Sequence, residues 1–310
     1  MAGEAESSSR ALRRKAVDMF LAATPAPGAS IDDYRSGFEK LCRGFGPLPE
    51  AVITPFDADG VKGLKVAVPD ASPDHLILHF HSGGYVMGSS AGYRNFASRL
   101  SRAAKATVIV PDYRLAPEHP YPAAFEDGLR TYRWAIRTWS PSKAVISGDS
   151  AGGGLMMAVL LALRDAGDPL PCRAVGISPL ADLAGEGDSM VANESTDPLI
   201  NRALLVGMGK VYIGERDPHQ TPHASPLWGR HHGLPPLYLT ASNSEVMRDD
   251  AVRLTESIRK AGGQVTLALP DDLVHIWPLF PFLDEGQNTI AEIGTFIQAA
   301  WMAAGSTKTT

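Results

Sequence analysis

The chain has 310 residues, 44% of them hydrophobic and 20% charged, which supports a large core and lies outside the composition of disordered chains. A net charge of -5, with no Lys/Arg-rich block, excludes a surface built to hold a polyanion, so no nucleic-acid partner is expected. Cys42 and Cys172 are far apart and lack C-x-x-C spacing, which argues against both a disulfide framework and a zinc cage.

In chain order, Arg10, Arg13, Arg14 and Lys15 precede a short apolar patch that imitates a secretory signal. Asp18 interrupts the patch, Pro25 follows it, and no small-residue cleavage site closes a sustained apolar core, so an amphipathic surface helix is the better reading. No apolar run approaches the ~20 residues needed to span a bilayer. A soluble, cytoplasmic protein without a membrane partner is expected.

Helices are expected over residues 8–24 and 30–45, the second opened by Ser30 with Asp33 three positions on, a capping-box start. Strands at 51–56 and 61–68 flank the turn residues 57–60 and read as a hairpin. Strand-like and helix-like segments then alternate. The strands are 75–81, 107–111, 144–147, 173–178, 237–241 and 264–269; the helices are 93–104, 123–139, 151–165, 249–261 and 285–303. Short, nearly continuous apolar strands are buried on both faces, which predicts an α/β fold with a mainly parallel sheet of about eight strands between helices. Residues 179–236 break the rhythm with a helix-like segment at 198–212, an insertion expected to cover the site together with the N-terminal helices. Residues 305–310 form a polar tail.

The chemistry is concentrated at Ser150, in Gly148-Asp149-Ser150-Ala151-Gly152-Gly153 between a strand and a helix. A strand that turns sharply into a helix exposes its turn residue, and Gly148 and Gly152 leave room for the approach. Serine needs a base, and the base needs an orienting group. His275 lies just past the last strand, where α/β sheets gather their chemistry, whereas packing is the default role for most of the other histidines. The acid is sought after the strand at 237–241, where Glu245 leads and Asp249, explicable by the helix dipole, is the reserve. Gly83 and Gly84, after the strand at 75–81, and the Ala151 N–H are expected to supply oxyanion donors. Tyr85, Met87, Met208, Trp277 and Phe280 are candidate pocket residues, although core packing explains each of them singly. The pairs His79/His81 and His231/His232 lack further ligands at metal spacing, so neither metal nor organic cofactor is expected.

Together, His81-Ser82-Gly83-Gly84, Tyr113-Arg114-Leu115-Ala116-Pro117-Glu118 and the Ser150 elbow resemble the hormone-sensitive-lipase family of α/β-hydrolase esterases, whose motifs run H-G-G-G, Y-R-L-A-P-E and G-D-S-A-G-G in this order. The resemblance spans residues 70 to 280 or so. It implies an α/β-hydrolase catalytic domain at 47–180 and 218–310, a cap or lid insertion at 181–217, and N-terminal helices at 1–46 contributing to the cap. It also implies a serine carboxylesterase acting on short- to medium-chain acyl esters, with a monocyclic lactone as the alternative substrate and a homodimer as the favoured assembly. A non-catalytic ligand-binding protein and an amidase are the weaker readings. Two positions depart from the family pattern: Ser82 replaces the second glycine of the oxyanion motif, and Glu245 replaces the usual Asp.

Overall fold

The computed structural model describes residues 2–26 and 28–306, so residues 307–310 of the polar tail lie outside the described residues. Two helices open the chain, α1 (Ala2–Ala23) and α2 (Ile31–Arg43). The expected capping box is present: Asp33 N–H donates to Ser30 Oγ, and Ser30 N–H to the Asp33 carboxylate.

Eight strands follow: β1 (Val52–Ala58), β2 (Val61–Ala67), β3 (Ser72–Phe80), β4 (Ala106–Pro111), β5 (Ala144–Asp149), β6 (Arg173–Ile177), β7 (Leu237–Thr240) and β8 (Val265–Ala268). They form one sheet in the order β1-β2-β4-β3-β5-β6-β7-β8. The β1–β2 and β2–β4 pairs are antiparallel, and all later pairs are parallel. The first hairpin turns on Asp59 and Gly60, both at positive φ, as a two-residue hairpin turn of the Asp-Gly type demands.

Helices α3 (Arg94–Ala104), α4 (Ala123–Ala135), α5 (Ala151–Ala166), α6 (Ser189–Ala192), α7 (Arg202–Ile213), α8 (Arg248–Lys260) and α9 (Asp284–Ser306) complete the order. Side chains on a strand alternate between the faces, and β3 shows it. Leu76, Leu78 and Phe80 join a core with α4, α5 and α8, while Ile77 joins a second core with α1, α2, α3 and α9. With both faces covered, every residue of β4 and β5 is buried, which is why neither strand shows an alternation of buried and exposed positions. Among the described residues, no helix is long and apolar enough to cross a membrane. The short helix α6 was not anticipated; four residues are too few to show a helical period.

Strand order explains where the chemistry converges. Neighbouring strands β3 and β5 bring the segment after Phe80 beside the Ser150 turn, and neighbouring β7 and β8 bring the segments holding Glu245 and His275 together.

Candidate active site

Ser150 joins β5 to α5 at φ 52 and ψ -122, a sparsely populated conformation for a residue with a side chain, costing on the order of 1–3 kcal/mol. Neighbouring backbone holds it there. Ser150 N–H donates to Ile177 O at 2.9 Å, and Ser150 O accepts from Leu180 N–H at 2.8 Å and Gly154 N–H at 3.1 Å. A Cβ at Gly152 would collide with the carbonyl oxygens of Phe80 and His81, so only glycine lets the start of α5 close on the end of β3.

Ser150 Oγ–H donates to His275 Nε2 at 3.0 Å, and His275 Nδ1–H donates to Glu245 Oε2 at 2.6 Å. The serine, histidine and glutamate are 7%, 5% and 1% exposed. The other oxygen of Glu245 accepts from Ser178 Oγ at 2.8 Å and Ser242 N–H at 2.7 Å, so a buried carboxylate has partners on both oxygens. The Ser242 N–H bond, with Glu245 N–H donating to Ser242 O at 3.1 Å, closes a tight turn over 242–245, and Ser178 reaches the same oxygen from the end of β6. Asp249, the reserve, accepts from Ser189 N–H at 2.8 Å and from Arg248 at 2.7 Å, so its bonds fix α6 and the start of α8.

Burial opposes the charged form of His275, but the Glu245 carboxylate and its hydrogen bond, with the charges of Asp197 and Asp149, outweigh burial and hold the imidazole above its ordinary value of 6.5. Sequence reasoning passed over Asp197. It accepts from Leu199 and Ile200 N–H at 3.0 Å each and from Val246 N–H at 3.0 Å, tying the insertion to the residue after Glu245. An Asp two and three residues ahead of the N–H groups it accepts from is a turn signature, and it was the available signal here.

Gly83 and Gly84 take φ values of 123 and 61 in the loop leaving β3. Both line the cleft that Ser150 and His275 also line. Among the described residues, the N–H groups of Gly83, Gly84 and Ala151 have no hydrogen-bond acceptor, which leaves three donors free beside the serine. His81 supports this loop. Its ring stacks on Tyr113 at 4.2 Å between centroids, and its carbonyl accepts from Tyr113 Oη–H at 2.8 Å.

The cleft has an empty volume of about 830 Å³ including its mouth. Met87 and Met208, both named from the sequence, line it. Tyr85, Trp277 and Phe280, named with them, do not, and the expectation is corrected for these three. Tyr85 is turned at φ 64 and stacks flat on Tyr212 with centroids 3.9 Å apart. Trp277 is fully buried, its indole N–H on Thr289 Oγ1 at 3.0 Å. Phe280 packs a layer deeper, under Phe20 and Phe45. The walls are instead Phe20, Tyr34 and Phe38 from α1 and α2, facing Leu199, Leu204 and Leu205 from the insertion. Tyr34 and Phe38 are four apart on a helix, a spacing that marks an apolar stripe without saying what the stripe covers. Among the described residues, no group of three or more His, Cys, Asp or Glu side chains is disposed to hold a metal ion.

A buried Ser-His-Glu relay on strand ends, beside three free N–H donors, defines the machinery of an acyl-transferring α/β enzyme. Residues 77–279 match the family described as alpha/beta hydrolase fold. An acetyl-hydrolase of Streptomyces hygroscopicus is 41% identical over 275 residues, covering 87% of this chain and 90% of the relative. A crystal structure of an esterase from the bacterial hormone-sensitive lipase family superposes with a TM-score of 0.90 at 37% identity, covering 93% of this chain and 97% of that one. The esterase EstE5, solved after soaking with p-nitrophenyl butyrate, gives 0.88 at 37% identity, covering 93% and 98%. The chain belongs to the α/β-hydrolase family and, within it, to the bacterial hormone-sensitive-lipase esterases.

Proposed function

We propose that this carboxylic ester hydrolase cleaves short- to medium-chain acyl esters through an acyl-Ser150 intermediate. The observation that carries the reading is the continuous relay from Ser150 Oγ through both nitrogens of His275 to Glu245 Oε2. His275 Nε2 takes the Ser150 proton as Oγ bonds to the ester carbonyl carbon. The carbonyl oxygen becomes an oxyanion held by the N–H groups of Gly83, Gly84 and Ala151. The imidazolium, stabilised by Glu245, gives its proton to the leaving alcohol as the C–O bond breaks. Water then loses a proton to His275 and attacks the acyl-serine, and the proton returns to Ser150 Oγ as the acid departs.

Residues 1–46 and 181–217 form the cap over a catalytic domain of 47–180 and 218–310. Their apolar walls suit an acyl chain, and a cleft of this size suits a small ester. The acetyl-hydrolase and the EstE5 structure soaked with p-nitrophenyl butyrate support the short end of that range.

A p-nitrophenyl ester series from acetate to palmitate, beside a monocyclic lactone and an anilide and with Ser150→Ala as control, tests the reading. The expected optimum lies between acetate and octanoate. A lactone turned over with the higher kcat/KM reassigns the substrate class, and activity no greater than that of Ser150→Ala rejects the mechanism.

A further inference from the structure

Ser82 stands where the family pattern has glycine, and its side chain has a specific use. Ser82 Oγ–H donates to Tyr93 Oη at 2.6 Å, and Ser82 N–H donates to the same oxygen at 3.1 Å. Tyr93 in turn donates its proton to Asp149 Oδ2. Asp149 Oδ1 accepts from His79 Nε2–H at 3.2 Å, and His79 Nδ1 accepts from Ser147 Oγ–H at 2.8 Å. All five residues are buried, and the direction of each donor is consistent along the chain.

The two ends of the network matter. Ser82 directly precedes Gly83, and Asp149 directly precedes Ser150. In a trans peptide the C=O and N–H point opposite ways, so fixing one fixes the other. The carbonyl of the Ser82–Gly83 peptide accepts from His81 Nδ1–H at 2.8 Å, which sets the direction of the Gly83 N–H. The preceding peptide is held at both ends, its carbonyl by Tyr113 Oη–H at 2.8 Å and its N–H by Tyr93. Burial, with the charge of Asp149 next, pushes the Tyr93 phenol well above its ordinary value, so it remains a donor throughout the working pH range.

We propose that Tyr93 and Ser82 are positioning residues that hold the oxyanion N–H of Gly83 in register with Ser150, through the Ser82–Tyr93–Asp149 link. The proposal rests on Ser150 as nucleophile and Gly83 N–H as a donor to the oxyanion. The hydroxyl of Ser82 adds a second bond to Tyr93 that a glycine there cannot make. An oxyanion donor acts on the transition state, so a shift in its register lowers kcat and leaves substrate binding in place.

The test compares full-length wild type, Ser82→Ala, Tyr93→Phe, the double variant and Ser150→Ala on p-nitrophenyl butyrate, with thermal melts and the inhibition constant of butyl boronic acid, whose tetrahedral adduct places an oxygen in the oxyanion position. Tyr93→Phe is expected to lower kcat about 10- to 100-fold, less than outright loss of a donor. Ser82→Ala should lower it about 3- to 10-fold, the scale of one net hydrogen bond. KM should stay within about threefold, and boronate affinity should fall in parallel with kcat. Because Ser82 acts through Tyr93, the double variant should be no slower than Tyr93→Phe alone. Unchanged kcat in folded single variants, a loss carried by KM, or single effects that multiply in the double variant overturns the proposal. If Tyr93→Phe fails to fold, Ser82→Ala, which removes one oxygen atom, decides by its kcat and boronate affinity. Retained activity in Ser150→Ala would instead overturn the underlying mechanism, a distinguishable result.

Discussion

The floor of the cleft, at the ends of β3, β5, β7 and β8, is fixed by buried polar bonds, whereas the walls above it meet the cleft almost wholly through apolar side chains. On the floor, the Glu245 carboxylate is bonded on both oxygens, between His275 on one and Ser178 and Ser242 on the other, while the N–H groups of Gly83, Gly84 and Ala151 stay free. Directional bonds fix atoms to tenths of an ångström, which proton transfer requires. The walls need only shape and apolarity, which many side chains supply. The cover is still anchored to the floor at its polar roots. Asn193 Nδ2–H donates to Asn243 O and Glu245 O at 2.7 Å each, and on the other side Arg35 of α2 donates to Val86 O at 2.8 Å and Ala116 O at 3.0 Å and pairs with Glu118. The loop carrying the acid and the loop following Gly84 therefore each hold one wall in place.

Substitutions should separate the two regions sharply, and the largest effects belong to the floor. Ser150→Ala or His275→Ala is expected to cut kcat by about 10⁴- to 10⁶-fold in steady-state assays, with KM little changed. Glu245→Gln keeps the shape but removes the charge, and should cost about 10³- to 10⁴-fold in kcat.

Glu245→Gln should also move the pH profile. His275 must be neutral to accept the serine proton, and its value is raised, so wild-type kcat/KM should fall as pH drops through a point above 6.5. Without Glu245 the two largest effects that oppose burial are gone, and that acid limb should move to lower pH. Asp197→Asn should lower the limb by a smaller amount. An acid limb that does not move in Glu245→Gln would detach the carboxylate from the base.

In the walls, Tyr34→Ala or Leu204→Ala should raise KM for butyrate and hexanoate esters about 3- to 30-fold, the scale of 1–2 kcal/mol of apolar contact, while kcat stays within a few-fold. A kcat collapse from either would erase the distinction between wall and floor. The smallest catalytic effect is expected from Asp249→Asn, whose partners Ser189 and Arg248 are structural. Stability should drop by about 1 kcal/mol in a denaturant melt, with kcat near wild type. If Asp249→Asn collapses kcat instead, the acid has been misassigned.

The same contrast governs what could be read from the sequence. Strands such as β4 and the first half of β5, buried on both faces, advertise themselves as apolar runs, and their chain order fixes which turns can meet. The meeting of Ser150 and His275 was legible because a sharp strand-to-helix turn needs glycines at set offsets and His275 follows the last strand. Glu245 was legible only as one of several carboxylates after β7, since its pairing with His275 depends on β8 and on Ser178 from the end of β6 arriving beside it. The use of Ser82 was invisible, because Tyr93 lies eleven residues on and Asp149 fifty-six residues beyond that. Tyr85, Trp277 and Phe280 misled because an aromatic side chain near a catalytic residue in sequence has the same composition signal whether it faces the cleft or the core behind it. Phe20, Tyr34 and Phe38 were passed over for the converse reason: they lie more than a hundred residues ahead of Ser150, and only the folding of α1 and α2 over the cleft brings them to it.

The most direct measurement is the site of covalent acylation. Wild-type protein quenched with acid during turnover of p-nitrophenyl butyrate, then digested and read by peptide mass spectrometry, should carry a butyryl group on Ser150, and it should accumulate further in Glu245→Gln if deacylation is slowed more than acylation. Butyryl found on another side chain, or equal turnover by Ser150→Ala with no adduct at all, would contradict the account.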